Sequence, residues 1–222
     1  ASSASSASSA SSSFNLKLQN QLVKKFQEAM GLQSQGLLKD AYKVFKQTKH
    51  KASSALLQNT LARQLFGLCC ESMASIHMLN HKYLEAKKLL ANHKTYSIVS
   101  LRGSFLLGRA CYGLKQYQQA LDHLKEADGL IKGNDDQDKS NKCDVMVWMA
   151  RCMSAMNPTD PRPLKILEQV LSTSPNHAMA TVDYAKVAVT RGRAADALPH
   201  ILQTLITLSK QKQVDNDVLK TT

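Results

Sequence analysis

Acidic residues are scarce at the front of this chain. None precedes Glu28, and residues 1–110 hold 4 Asp and Glu against 15 Lys and Arg. Long apolar runs are missing as well. No stretch of 18 consecutive apolar residues occurs, so no membrane-spanning helix is expected. Aromatic side chains amount to 5% of the sequence, too few for the aromatic-rich strands of a sheet protein. There is no glycine-rich phosphate loop: "RGRAA" and "LRGSF" offer single glycines, and no Gly-x-Ser-x-Gly elbow appears. Cysteine is sparse and odd in number. Cys69, Cys70, Cys111, Cys143 and Cys152 lack the spacing of a disulfide framework, which points to free thiols in a reducing cytoplasm or nucleus. The opening "ASSASSASSASSS" has neither the basic start nor the apolar core of a secretory signal, and residues 1–13 read as a disordered Ala/Ser tail or linker.

What is present is helix-forming material. Hydrophobic residues make up 43%, dominated by Leu and Ala, enough for a substantial core among Lys, Gln and Ser. The net charge of +12 is uneven. Residues 111–160 carry 6 basic against 8 acidic groups, and residues 161–222 carry 8 against 5. The basic first half could meet nucleic acid, an anionic membrane or an acidic protein, or simply keep a surface soluble.

A fixed interval organises the chain. Ala29 precedes Ala41 by twelve residues, Ala74 precedes Ala86, Gly108 precedes Ala120, and Ala185 precedes Ala197 by the same step. Each pair brackets a short polar turn between two segments of helical periodicity. A fifth unit places Ala150 thirteen residues before Pro163, which suits the first turn of a second helix. After "STSP", Asn176 is the expected N-cap of the next helix. Two antiparallel helices cannot bury both apolar stripes alone, so such hairpins stack on one another.

This grammar resembles the tetratricopeptide repeat over roughly residues 17–210. It implies an all-α fold: an α-solenoid of about five antiparallel helix hairpins in a right-handed superhelix. The expected units are about 17–52, 53–93, 97–131, 142–174 and 177–210, within a repeat domain of 14–212 followed by a tail of 213–222. The spacing between units exceeds the family's 34 residues twice. The first excess predicts long helices across Gln47–Leu79, and the second predicts a polar loop over "GLIKGNDDQDKSNK".

The resemblance also implies where a partner sits, because first helices of such hairpins line a concave groove. The slot after each small residue holds Met30, Ser75, Arg109, Arg151 and Lys186. Arg102, Phe105, Arg109 and Tyr112 share one face of the third unit. A cation ladder of Arg102, Arg109, Arg151 and Lys186, with Phe105 and Tyr112, is the candidate peptide-binding groove, suited to an acidic or carboxylate-bearing segment. The competing reading pairs these cations with neighbours such as Asp183 or Glu126. The Lys/Asn pair of a chaperone-tail clamp is absent, since Phe26 and Met30 occupy its slots. With Met78 and Leu79 these suggest an apolar first groove for a helix, or else interior packing.

No catalytic or metal constellation emerges. His77 and His81 are four apart but lack the accompanying Glu of a zinc protease, and His81 is expected in a turn. His177 and His200 have no cysteine beside them. The carboxylates of Asp135–Asp138 read as a solvated loop. The chain is therefore expected to be a non-catalytic scaffold or adaptor without cofactor or metal, acting as a subunit of a multiprotein assembly. In the general style of its long, irregular units it resembles the repeat subunits of the anaphase-promoting complex. The alternative is an RNA-binding helical repeat using Lys24, Lys25, Lys46–Lys51, Lys87 and Lys88, although few aromatics are interleaved there for base stacking.

Overall fold

In "LKDAYKVFKQTKHKAS" the side chains that can leave water fall on one stripe, Ala41, Phe45, Thr48 and Ala52, and all four are buried. A single apolar stripe at helical spacing must face a neighbour. Here the neighbours lie on both sides in sequence, α1 before and α3 after. The computed structural model describes residues 4–56, 59–96, 99–133 and 135–220. Side chains are described throughout these spans except at 4–15, 92–96, 208 and 210–220.

Among the described residues there are ten helices and no strand: α1 (Ala4–Ser34), α2 (Leu38–Ser53), α3 (Thr60–Leu79), α4 (Tyr83–Tyr96), α5 (Leu101–Gly113), α6 (Tyr117–Leu130), α7 (Asp136–Met156), α8 (Arg162–Thr173), α9 (Ala178–Thr190) and α10 (Ala194–Lys220). They form an α-solenoid of successive hairpins. α1 begins inside the Ala/Ser stretch, and the backbone of α10 stays helical through most of the segment read as a C-terminal tail. Two compact units divide the chain, Ala1–Leu114 and Lys115–Thr222.

In the first unit α3 is the hub, packed against α1, α2, α4 and α5. Its burial runs round the helix, from Leu65, Phe66, Cys69 and Cys70 to Met73, Ala74 and Ile76, as expected of a helix with neighbours on every side. Burial pushes the Cys69 thiol up to about 12 and the Cys70 thiol up to about 11, so both stay protonated and unreactive. In the second unit α7 packs against α6, α8 and α9, over a core of Val147, Ala150, Leu164, Leu167, Leu171 and Tyr184.

The small residues sit where close packing needs them. Ala29, Ala41, Ala74, Ala86, Gly108, Ala120, Ala150 and Ala197 are buried, while Ala185 is only partly so. Four hairpin turns share a further feature. The residue five before the second-helix alanine is left-handed: Gly36 (φ 78°), His81 (φ 57°), Lys115 (φ 60°) and Gly192 (φ 71°). Glycine adopts this conformation without strain, whereas His81 and Lys115 pay a steric cost for it.

The two spacing excesses resolve in different ways, the first in long helices as expected and the second not as expected. The first divides into α2, a short break capped by Asn59 (whose side chain accepts from the Ala62 N–H at 3.2 Å), and a 20-residue α3. The second is mostly helix rather than loop. α6 continues through Gly129 to Leu130, and the 21-residue α7 starts at Asp136. The acidic run supplies the reason: Asp135 caps α7 by accepting from the Asp138 N–H at 2.7 Å, and carboxylates are favoured in a first turn. Nor is Asn176 the cap of α9. His177 fills that role, accepting through Nδ1 from the Ala180 N–H at 3.2 Å, while Asn176 Oδ1 accepts from Thr207 Oγ1 at 2.9 Å.

One glycine is required by close approach. A Cβ on Gly113, at the end of α5, would stand 2.5 Å from Cδ1 and Cγ of the Tyr83 ring on α4. Gly113→Ala is expected to destabilise the first unit by about 1–3 kcal/mol through overpacking. Thermal unfolding followed by circular dichroism measures this, and an unchanged midpoint would show that Tyr83 yields freely.

Candidate functional site

α5 spends nearly all its side chains on the core. Gly103, Ser104, Leu106, Leu107, Gly108, Ala110 and Cys111 are buried. Away from its ends, only Arg102, Phe105, Arg109 and Tyr112 reach the surface, at spacings of three, four and three residues. This is the stripe that the sequence proposes for partner contact. The Arg109 guanidinium lies 5.7 Å from the Phe105 ring centroid, a cation–π contact that holds both side chains along the helix. Because α3 packs against both α1 and α5, the first helices of this unit lie side by side.

Arg102 has a partner that the sequence reading missed. Its Nε lies 4.0 Å from Oε2 of Glu71, a carboxylate almost wholly buried in α3. Glu71 Oε1 accepts from Ser100 Oγ at 2.5 Å, and Ser100 in turn caps α5 by accepting from the Gly103 N–H at 2.9 Å. One carboxylate thus ties the start of α5 to α3 and anchors the outermost cation of the stripe. A lone acid amid the apolar α3 sequence was the available signal.

The proposed apolar groove of the first unit divides. Phe26 turns inward, its ring 5.7 Å from that of Phe45, and Met78 joins the core with Leu90 and Leu106. Met30 and Leu79 are exposed, and Ser75 bonds the Glu71 carbonyl at 3.0 Å.

In the second unit the cations are held internally. Arg151 stacks over Trp148, its Cζ 4.5 Å from the ring. Its Nε donates to Oδ2 of Asp183 and its Nη2 donates to Oδ1 at 3.3 Å, a bidentate fork on a buried carboxylate. Lys186 Nζ lies 4.0 Å from the same Oδ1, with its side chain largely in solvent. Two of the four ladder cations therefore converge on Asp183, the neighbour named in the competing reading. Lys186 alone of the pair remains well exposed.

A separate cleft of about 850 Å³ opens in the first unit where the start of α2 meets the α3–α4 turn, lined by Lys39, Asp40, Tyr42, Lys43, His77 and Lys82 among others. Tyr42 Oη and His77 Nε2 lie 3.0 Å apart, and Lys43 pairs with Asp40 at 3.2 Å. Burial, with a smaller push from Lys82 and against the pull of Glu85, holds the His77 imidazole below its usual value near 6.5. The folded state therefore favours neutral His77. Its contribution to stability is full above pH 6.5 and is lost as pH falls from there through the folded value. Lowering the pH from 7.5 to 5 should reduce the melting temperature less in His77→Gln than in the unsubstituted chain; equal losses would contradict this assignment.

His77 and His81 do not form a metal pair: His81 Nδ1 lies 3.1 Å from Tyr83 Oη, in the turn. Among the described residues no three His, Cys, Asp or Glu side chains come together in a metal-holding group, and no helix is long and apolar enough to cross a membrane.

Stacked helix hairpins with small residues at a fixed step make up the fold of tetratricopeptide-repeat proteins, and this chain has that fold. Residues 71–127 match the family model of the anaphase-promoting complex, cyclosome, subunit 3. Among solved structures, YrrB, a tetratricopeptide-repeat protein described as having an unusual peptide-binding site, superposes with TM-score 0.56 at 18% identity, covering 82% of this chain and 83% of YrrB. A Podosopora anserina protein of nearly identical TPR-like repeats gives TM-score 0.67 at 17% identity, over 88% of this chain and 98% of that one. The anaphase-promoting-complex hetero-tetramer Cut9–Hcn1 gives TM-score 0.56 at 16% identity, covering 83% of this chain and 39% of the other. No curated protein sequence matches significantly.

Proposed function

We propose that the chain is a non-catalytic scaffold that holds a segment of a partner protein against the first helices of its hairpins, as one subunit of a multiprotein assembly. The observation that carries this reading is the α5 stripe. Where α5 buries everything it can, Arg102 stays exposed, and Phe105, Arg109 and Tyr112 stay half-buried along the same stripe, so that two guanidinium groups and two rings edge one face of the helix. Such a surface suits an acidic segment, since guanidinium forks bind carboxylates and the rings supply flat apolar area. The match to an anaphase-promoting-complex subunit and the likeness to YrrB support an interaction role. Five buried free thiols fit a reducing compartment, the cytoplasm or nucleus.

Fluorescence polarisation with a library of acidic peptides tests the reading. A selected peptide should bind Arg102→Gln/Arg109→Gln at least about tenfold more weakly, the loss expected when one or two charge-assisted hydrogen bonds disappear. Unchanged affinity would remove α5 from the site. Tighter binding of single-stranded RNA, falling steeply and log-linearly with salt, would favour the nucleic-acid alternative instead.

A further inference from the structure

The junction between α2 and α3 holds a polar pair where the second unit packs apolar side chains. One residue past the small-residue position of α8 is Leu164, and three past that of α9 is Ala188; both are buried in the core of that unit. The corresponding residues of α6 and α7 are Leu121 and Met153. At these places α2 and α3 carry Tyr42 and His77, half-buried and 3.0 Å apart through Oη and Nε2.

A tyrosine and a neutral imidazole carry two polar hydrogens between them, and their mutual bond uses one. The other, on His77 Nδ1 or on Tyr42 Oη according to the tautomer, has no acceptor among the described residues. The cleft of about 850 Å³ that this pair lines also receives Lys39 and Lys43 from α2 and Lys82 from the α3–α4 turn. Its single carboxylate, Asp40, is already bonded by Lys43 at 3.2 Å. The Lys39 and Lys82 ammonium groups have no hydrogen-bond or ion-pair partner among the described residues. Positive charge and spare donors therefore enter one cleft from two separate elements.

We propose that this cleft binds a small molecule carrying two or more phosphate monoesters, either free in solution or as the headgroup of a lipid. A phosphate monoester gathers about two charges and three acceptor oxygens on one compact group, which ammonium groups meet as point charges. A carboxylate carries a single charge and is best held by the planar fork of arginine, and no arginine lines the cleft. Lys39 and Lys43, one turn apart on α2, suit one phosphate, and Lys82 suits a second. The volume leaves room for both, since clefts of this size take a drug-sized ligand. Leu37 and Leu38 supply apolar surface beside the cations for its carbon skeleton.

Titration calorimetry of the full chain with inositol trisphosphate tests the site. Co-sedimentation with phosphatidylcholine vesicles carrying phosphatidylinositol bisphosphate separates the lipid source from the soluble one. Saturable binding of one or both probes is expected. Lys39→Gln/Lys82→Gln should weaken it by about tenfold or more. Tyr42→Leu/His77→Met, which copies the Leu121 and Met153 arrangement, should weaken binding without lowering the melting temperature, a split that a merely structural pair would not give. Lys46→Gln/Lys51→Gln, exposed on α2 outside the cleft, and Arg102→Gln/Arg109→Gln on α5 should leave binding unchanged. Failure of both probes to bind up to about 1 mM overturns the inference. So does equally tight binding of citrate, an equal loss from the Lys46 and Lys51 substitutions, or binding of a phosphoserine peptide alone.

Discussion

Phe45→Ala should lower the free energy of unfolding by about 3–5 kcal/mol, the largest loss expected from any single truncation in the first unit. Phe45 is fully buried, and it is the largest side chain on the α2 stripe. Its ring is tilted 57° against Phe26 of α1 and packs among Cys69, Met73 and Ile76 of α3. Three helices therefore meet on one side chain, and a cavity there cannot be closed by moving one of them. Because α2 presents a single stripe, it has no second apolar face on which to re-dock. Urea unfolding followed at 222 nm measures the effect. A loss below about 1 kcal/mol would mean that α1 and α3 collapse onto the gap, in conflict with the packing described.

Asp183→Asn should act on stability and binding in opposite directions. Asp183 is the buried acceptor of the Arg151 fork, and Arg151 is itself only 22% exposed. Substituting the neutral amide leaves a largely buried guanidinium facing an acceptor of half the strength, at a cost of about 1.5–3 kcal/mol. The same change releases Arg151, already stacked on Trp148, to bind an external carboxylate. An acidic peptide that engages the second unit should then bind more tightly to Asp183→Asn despite the lower melting temperature. If both melting temperature and affinity stay unchanged, the Arg151–Asp183 pair is a solvated contact of little consequence, and the electrostatic account of this unit fails.

Four of the hairpins were legible in the sequence because their turns share one length, and the fifth was legible although its turn is one residue longer. Ala29 to Ala41 and Ala185 to Ala197 therefore keep the same step however much the flanking sequence drifts. What lay between hairpins was harder to read. The run around Gly129 and Asp135–Asp138 has the composition of a loop, yet Asp135 caps a helix and its acidic followers favour the positive end of that helix. Composition reports solubility, whereas capping depends on register. His177 took the cap of α9 from Asn176 for the same kind of reason, since one residue of register decides which side chain reaches the Ala180 N–H. In the candidate site, the α5 stripe was visible as one helical face, of which Arg102 is exposed and Phe105, Arg109 and Tyr112 are half-buried. The buried acid behind it was not, because Glu71 is thirty-one residues from Arg102 in sequence and only the packing of α5 on α3 joins them.

The left-handed residues at Gly36, His81, Lys115 and Gly192 determine where this chain can tolerate change. Each sits at one offset from the alanine that follows, so a single inserted residue inside a turn would rotate the second helix by about 100° and swing its alanine out of contact. Outside the turns no such clockwork operates. The chain has already lengthened there twice, before α3 and before α7. Fusion partners, tags or loop grafts therefore belong outside the four turns, where the ratchet of the hairpins is not engaged.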